Sequence, residues 1–236
     1  MKQVRPAVVA FDLGDTLLEY EGIPFSWEAH YSEALQALAA SLLRRELTPT
    51  EIAGGSAVLR RYNTRLNPRT EEIRFAAILG ALWAEWQLTG QPDAMAGARA
   101  FFAIFRRRTR PFPDALPCLR RIRERGGRIG IFTDVPYGMQ RELVEEDVAT
   151  AGLGADYDVL LTSIDVGWRK PAAQTMTALA ARLGSDCADF AYIGNERKDV
   201  EAALAAGCRA VLLDRKGARP DWGQSTTLRT LDEWIF

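Results

Sequence analysis

The residues best able to do chemistry fall in four short polar clusters, each at the end of an apolar run. The first is Asp12-Leu13-Gly14-Asp15-Thr16, directly after Val8-Val9-Ala10-Phe11. A carboxylate at the end of a buried strand is costly unless it has a partner or a task. An aspartate there can accept a phosphoryl group and form an aspartyl-phosphate, or it can simply cap a turn. The second cluster is Thr133-Asp134, after Ile129-Gly130-Ile131-Phe132. A hydroxyl in that position can donate to a phosphate oxygen.

The third cluster is Lys170-Pro171. The pattern expects Pro171 at the first position of a helix. Lys170 then lies beside free amides and the positive end of the helix dipole, where a cation is disfavoured unless an anion intervenes. The plainer reading is a solvated lysine. The fourth cluster is Gly194-Asn195-Glu196-Arg197-Lys198-Asp199, after Ala191-Tyr192-Ile193. Its oxygen-bearing side chains suit magnesium, which prefers six oxygen ligands and shares them with water and phosphate. Asn195 can equally cap a helix, with Glu196 favouring the dipole.

The elements that must position these clusters are legible from periodicity. Apolar runs predict buried strands at Val8–Phe11 and at 129–132, 159–161, 190–193 and 210–213. Between them lie helical patterns at 115–125, 139–151, 172–183 and 200–206, stopped by Gly126-Gly127, Gly184 and Gly207. Such alternation implies right-handed βαβ units and an open parallel sheet of Rossmann-like, α/β type. Residues 24–108 read instead as four helices. Trp27, Tyr31, Leu35, Leu38 and Leu42 recur at helical spacing, and Thr48-Pro49-Thr50-Glu51 is a capping box. Ile73, Ala77, Leu82 and Trp86 mark the third helix and Phe101, Phe102 and Phe105 the fourth. The helical block is therefore an insertion after the first strand, with connections near 17–23 and 106–113. The expected division is a core of residues 1–16 and 111–236 and an α-helical block of residues 17–110.

Composition narrows the function classes. The chain has 236 residues and a net charge of −1, so no global field recruits nucleic acid or an anionic membrane. It shows no signal-peptide pattern and no apolar run of spanning length, so a cytoplasmic location is expected. His30 is the only histidine, which removes Ser-His catalysis and multi-histidine metal sites. Cys118, Cys187 and Cys208 read as buried free thiols. Arg106-Arg107-Arg108 is expected in the last turn of a helix, where cations suit the dipole. The block's aromatics are expected in its core.

Taken together and in this order, the four clusters resemble the haloacid dehalogenase superfamily, most of whose members are phosphatases. The resemblance covers nearly the whole chain, and the helical insertion is similar to that family's small cap. It implies Asp12 as nucleophile, Thr133 as phosphate-binding hydroxyl and Lys170 as the neutralising lysine, with Asp134 beside them on the substrate side. It also implies a Mg2+ site from Asp12, the main-chain carbonyl of Gly14, Asn195 and Asp199, and a small phosphorylated substrate.

The chain departs from that pattern in two places. The family's second aspartate, which protonates the leaving oxygen and then activates water, is here Gly14; Asp15 is one residue further on and is expected to point elsewhere. The usual first aspartate of the fourth motif is Asn195, for which Glu196 or Asp199 could compensate. General acid–base help is worth about 10² to 10⁴ in rate, or ~3–5 kcal/mol of barrier. A slow phosphatase is the expectation, least impaired on aryl or acyl phosphates. The alternatives are a 2-haloacid dehalogenase-type hydrolase and a non-catalytic relative that binds a phosphorylated ligand or a protein. The substrate and the oligomeric state are not legible.

Overall fold

The computed structural model describes residues 8–23, 26–154, 156–218 and 220–234. The first seven residues of the expected core, and residue 24 at the start of the helical pattern, lie outside them. Six strands form one sheet: β1 (Val8–Phe11), β4 (Arg128–Thr133), β5 (Val159–Thr162), β6 (Phe190–Gly194), β7 (Arg209–Leu213) and β8 (Thr226–Leu228). Their order is β5-β4-β1-β6-β7-β8, and every neighbouring pair is parallel. β1 is central, flanked by β4 and β6, and all four of its residues are buried. That is why it reads as an unbroken apolar run rather than an alternating one.

Alternate β1 residues serve opposite faces. Val9 and Phe11 join one hydrophobic cluster. Val8 and Ala10 join a second, with Leu179 and Tyr192. The fold is thus the expected α/β, Rossmann-like sheet. The order of strands reverses at β1, and the crevice beyond strand ends at such a point is where open α/β sheets bind ligands.

Flanking helices are α5 (Ala115–Glu124), α6 (Arg141–Thr150), α7 (Ser163–Val166), α8 (Ala173–Leu183) and α9 (Arg197–Ala205). The four inserted helices are α1 (Tyr31–Leu42), α2 (Pro49–Tyr62), α3 (Phe75–Glu85) and α4 (Ala94–Ala103). The capping box at the start of α2 forms: Glu51 N donates to Thr48 Oγ1, and Thr48 N donates to Glu51 Oε2 at 2.8 Å. The chain enters the block through β2 (Leu18–Tyr20) and leaves it through β3 (Thr109–Pro111), which pair antiparallel. Periodicity alone does not reveal these three-residue strands, nor β8, because each is too short to set a pattern.

Several local expectations need correction. Pro171 and Ala172 precede α8, so Pro171 is not its first residue. Arg106–Arg108 lie beyond the end of α4; Arg106 pairs with Asp147 and Glu146, and Arg107 with Glu33. Asn195 does not cap α9, whose N-cap is Glu196; there Asp199 Oδ2 accepts from Glu196 N at 2.7 Å. Cys118 and Cys208 are buried free thiols, but Cys187 is only half-buried. Tyr31, Trp83 and Trp86 are core residues, while Trp27 is half-buried and stacks on Phe105 with centroids 3.7 Å apart. Among the described residues no helix is long and apolar enough to cross a membrane.

Three of the contacts that fasten the helical block to the sheet lie close to the strand ends. The first is the β2–β3 ribbon. The second is a backbone clasp, in which Arg169 N donates to Thr70 O at 2.7 Å and Glu72 N to Gly167 O at 3.0 Å. Arg169 and Ser163 also bond to the buried Glu72 carboxylate. The third is Tyr137, from the turn Pro136–Gly138 after β4. Its ring packs against Trp27, Tyr31 and Phe101, and its hydroxyl pairs with that of Tyr31.

Gly138 makes this third contact possible. Its φ is +65°, and a Cβ there would lie 2.0 Å from Ile73 O and 2.5 Å from Phe75 N. Both are backbone atoms that a rotamer change cannot move. Gly138→Ala should therefore lose more than ~2 kcal/mol of stability, combining left-handed strain and overpacking. Gly152→Ala, also at positive φ but with nothing within 4 Å of its Cβ, should lose only ~1 kcal/mol. Urea unfolding of the two variants checks the difference.

Candidate active site

The four clusters meet at the carboxyl ends of β1, β4 and β6. Asp12 follows β1, and its amide donates to Ile193 O at 2.9 Å, which seats it against β6. Lys170 is 158 positions away in sequence, yet its Nζ donates to Asp12 Oδ1 at 2.6 Å. The same Nζ lies 2.5 Å from Asp199 Oδ1 and donates to the Tyr192 hydroxyl at 3.0 Å. The ammonium thus makes two hydrogen bonds and one close ion pair, and the lysine side chain has no solvent exposure. Burial disfavours the charged lysine, but Asp12 and Asp199 outweigh it and hold the group well above its ordinary pKa. Burial pushes the Asp12 carboxyl up, as does Asp199 beside it, against the pull of Lys170. The expectation of a solvated lysine fails; Lys170 lies just before α8, with the Asp12 and Asp199 carboxylates against its ammonium.

Tyr192 was not among the candidates read from sequence. It sits in β6 and passes its own proton to Phe132 O at 2.9 Å, so lysine, phenol and β4 backbone form one chain. The available signal was a tyrosine in the middle of a buried strand, whose hydroxyl must find a partner. Gly194 is the second enabling element. A Cβ there would come within 2.4 Å of Asp199 Cβ and Cγ, so only glycine lets Asp199 reach across to Lys170.

Asp134 is almost fully buried. Oδ1 accepts from Lys170 N at 3.1 Å, and Oδ2 lies 3.1 Å from Lys198 Nζ. Burial raises its pKa, but Lys198, Arg169 and Lys170 together bring it down to about 2. Thr133 ends β4 and shares a pocket of 110 Å³ with Leu13, Gly14 and Tyr20. Glu196 turns towards the helical block, where Arg65 Nη2 donates to it at 2.7 Å and Lys198 lies 3.0 Å away. Lys198, Arg65 and Asp134 also border a larger cleft of 460 Å³, with Arg69, Arg169 and Lys170. Most of the charged side chains on its walls are cationic.

Two positions decide what the site can do. Gly14 has open space in front of it; a Cβ would meet only Tyr20 Cε2, at 4.0 Å. Asp15, at φ +57°, lines a separate cleft with Glu19, Asn195 and Asp214. The side chain one residue on is therefore carried away from the Thr133 pocket, as the spacing leads one to expect.

The oxygens that could hold a cation follow from the same contacts. Asp199 Oδ2 accepts from Glu196 N, while Oδ1 has the Lys170 ammonium as an ion-pair neighbour but no hydrogen-bond donor among the described residues. Among the described residues, Asp12 Oδ2 is engaged only by a 3.5 Å contact from the Thr16 hydroxyl. Asn195 follows β6 directly, next to the Asp12 turn. Among the described residues no three His, Cys, Asp or Glu side chains cluster as a metal site. The oxygens that these strand ends offer a cation are the Asp12 carboxylate, the Asn195 amide and the Gly14 carbonyl, all hard oxygens of the kind magnesium takes.

A family model for haloacid dehalogenase-like hydrolases matches residues 6–207. The chain belongs to that family. It is a hydrolase of the haloacid dehalogenase type with the sheet order and strand-end clusters described above. It is 29% identical over 210 residues to a ribulose-1,5-bisphosphate 5-phosphatase of Halopiger xanaduensis, covering 87% of this chain and 84% of that one. It is also 29% identical over 225 residues to a phosphoglycolate phosphatase of Neisseria meningitidis, covering 91% and 87%. Among solved structures, a phosphatase of this family from Thermococcus onnurineus superposes with a TM-score of 0.65 at 21% identity, over 96% of this chain and 95% of that one.

Lys170→Met should strand two buried carboxylates without a cation and cost ~3–5 kcal/mol. Tyr192→Phe should cost ~1–3 kcal/mol, because one ammonium proton loses its acceptor. Chemical unfolding at neutral pH checks both values and their order.

Proposed function

We propose that the chain is a magnesium-dependent phosphatase that works through an aspartyl-phosphate at Asp12 on a small phosphorylated metabolite. The observation that carries this reading is the Asp12 carboxylate, anchored on one oxygen by a buried lysine and with the other oxygen barely engaged. In this reading residues 1–16 and 111–236 form the catalytic core, and residues 17–110 form the cap.

The chemistry follows from the contacts. Lys170 fixes Asp12 Oδ1, which orients Oδ2 for attack on phosphorus. As the Oδ2–P bond forms, the bond from phosphorus to the ester oxygen breaks, and that oxygen leaves with the electron pair. The Thr133 hydroxyl donates to a phosphoryl oxygen, with Asp134 holding the Lys170 backbone beside it. Water then attacks phosphorus, freeing inorganic phosphate and the Asp12 carboxylate. Charge neutralisation is the main source of acceleration. Asp12, Asn195 and the Gly14 carbonyl would hold Mg2+, which supplies further neutralisation of the phosphoryl oxygens when bound. Gly14 brings no proton donor, so esters with acidic leaving groups should turn over best. The phosphatase names of the relatives, whose lengths this chain largely spans, support the same reaction class.

The deciding experiment measures p-nitrophenyl phosphate hydrolysis with and without magnesium. Wild-type protein should hydrolyse it, lose the activity in EDTA and recover it with Mg2+. Asp12→Asn should reduce it by at least ~10³-fold, and labelled substrate should leave a hydroxylamine-sensitive phosphoprotein only when Asp12 is present. Metal-independent halide release from a 2-haloacid, with no phosphate release, would replace this reading by dehalogenation. Binding of phosphate without turnover of either substrate would point to a non-catalytic relative. Asn195→Asp should lower the half-saturating Mg2+ concentration by about tenfold, because it adds a full charge to a donor set that has one.

A further inference from the structure

Two of the strand ends that carry the site share a pocket whose walls are mostly apolar. Leu13 and Gly14, after β1, and Thr133 and Asp134, at the end of β4, border its 110 Å³ together. The helical block adds the stacked rings of Trp27 and Phe105, and the core adds Met139 and Val144. A Cβ on Gly14 would stand 4.0 Å from the ring of Tyr20, which is another wall.

Three polar residues on the border are bonded to groups that do not line the pocket. The Tyr20 hydroxyl donates to Asp147 Oδ2 at 3.0 Å. Arg106 donates to Asp147, Glu146 and Leu143 O. Asp134 accepts from Lys170 N, with Lys198 Nζ 3.1 Å from its other oxygen. A carboxylate or hydroxyl entering here would give up water and gain no partner in return. An apolar group would instead gain about fourfold in affinity for each methylene buried. Size follows from volume: a dry cavity of about 150 Å³ holds benzene with room to spare, so 110 Å³ takes about five or six carbons.

We propose that this pocket holds the organic part of the substrate, and that the substrates are phosphate monoesters of small apolar alcohols, phenols first among them. The inference rests on the phosphatase reading above, which puts the phosphoryl group between Asp12 and Thr133. A phenol of this size also leaves without needing a proton, which suits a site with Gly14 where a donor would stand. The cleft of Arg65, Arg69 and Lys198 is the other place for an organic group, and it would select a second anion. It is the poorer fit. Arg65 and Lys198 already pair with Glu196, and neither Gly14 nor Thr133 is among the described residues that line it.

The test is calorimetric titration of the whole protein, with Mg2+, against non-hydrolysable phosphonates. Phenylphosphonate and butylphosphonate should each bind at least about tenfold tighter than methylphosphonate, as a few buried methylene equivalents require. Octylphosphonate should gain nothing over butylphosphonate, and phosphonoacetate should bind no tighter than methylphosphonate. Val144→Phe, which fills the pocket, should cut the preference for phenyl over methyl to about twofold or less. Where that variant does not fold, Met139→Ala, which enlarges the pocket, should let octylphosphonate overtake butylphosphonate. Equal binding of methyl- and phenylphosphonate, or binding of neither, would overturn the inference while p-nitrophenyl phosphate hydrolysis upholds the phosphatase reading. Tightest binding of phosphonoacetate would overturn it in favour of the cationic cleft. Absence of that hydrolysis would overturn the phosphatase reading and this inference with it.

Discussion

The buried ammonium of Lys170 is the interaction on which this site rests. Moving a lysine out of water costs several kcal/mol, and only close, well-aimed oxygens repay it. Here two carboxylates and a phenol do so, and each comes from a different part of the chain: Asp12 after β1, Asp199 in α9 and Tyr192 in β6. Much of the local architecture follows from bringing them together. Gly194 has no side chain because Asp199 must pass in front of it. Asp12 is seated on β6 by its own amide. The Lys170 backbone is held from the other side by Asp134.

The helical block is built into this arrangement rather than hung beside it. The hydrophobic cluster that contains Val9 and Phe11 of the sheet also contains Leu35, Phe75 and Phe101 of the block. The clasp at residues 70–72 and 167–169 ends one residue before Lys170, so the same short segment binds the block and presents the lysine. Tyr137 enters the aromatic cluster of the block only three residues after Asp134. Buried polar networks of this kind are stable only when fully satisfied. Glu72 itself is satisfied, with Arg169, Ser163 and its neighbour's amide Ile73 N all donating to it, whereas Nε and Nη2 of the adjacent Arg69 have no hydrogen-bond partner among the described residues. Between the block and the sheet, Arg65, Arg69 and Lys198 line a cationic cleft that also reaches Asp134 and Lys170.

What the sequence determined by itself was the sheet, the inserted helices and the strand ends at which the polar clusters lie. The strand runs are visible because a central parallel strand is buried on both faces and admits almost no polar residue, so the first polar residue after each run marks the strand's end. Asp12, Thr133 and Asn195 were legible for that reason. The four helices were legible because a repeating apolar stripe accumulates over many residues. Only tertiary structure decided where the side chains go. Lys170 looked like a helix-terminal or solvated lysine because nothing local to it shows the carboxylates 158 and 29 positions away. Tyr192, Tyr20 and Asp147 carry no local mark at all: each is an ordinary residue of a strand or helix until a distant partner meets it. β2 and β3 likewise exist only as a pair, since three residues have no period to read and gain their hydrogen bonds from each other. Periodicity reports which face of an element is dry, and it does so from neighbours in sequence; a polar contact is fixed by direction and distance between atoms far apart in the chain, which only the assembled fold supplies.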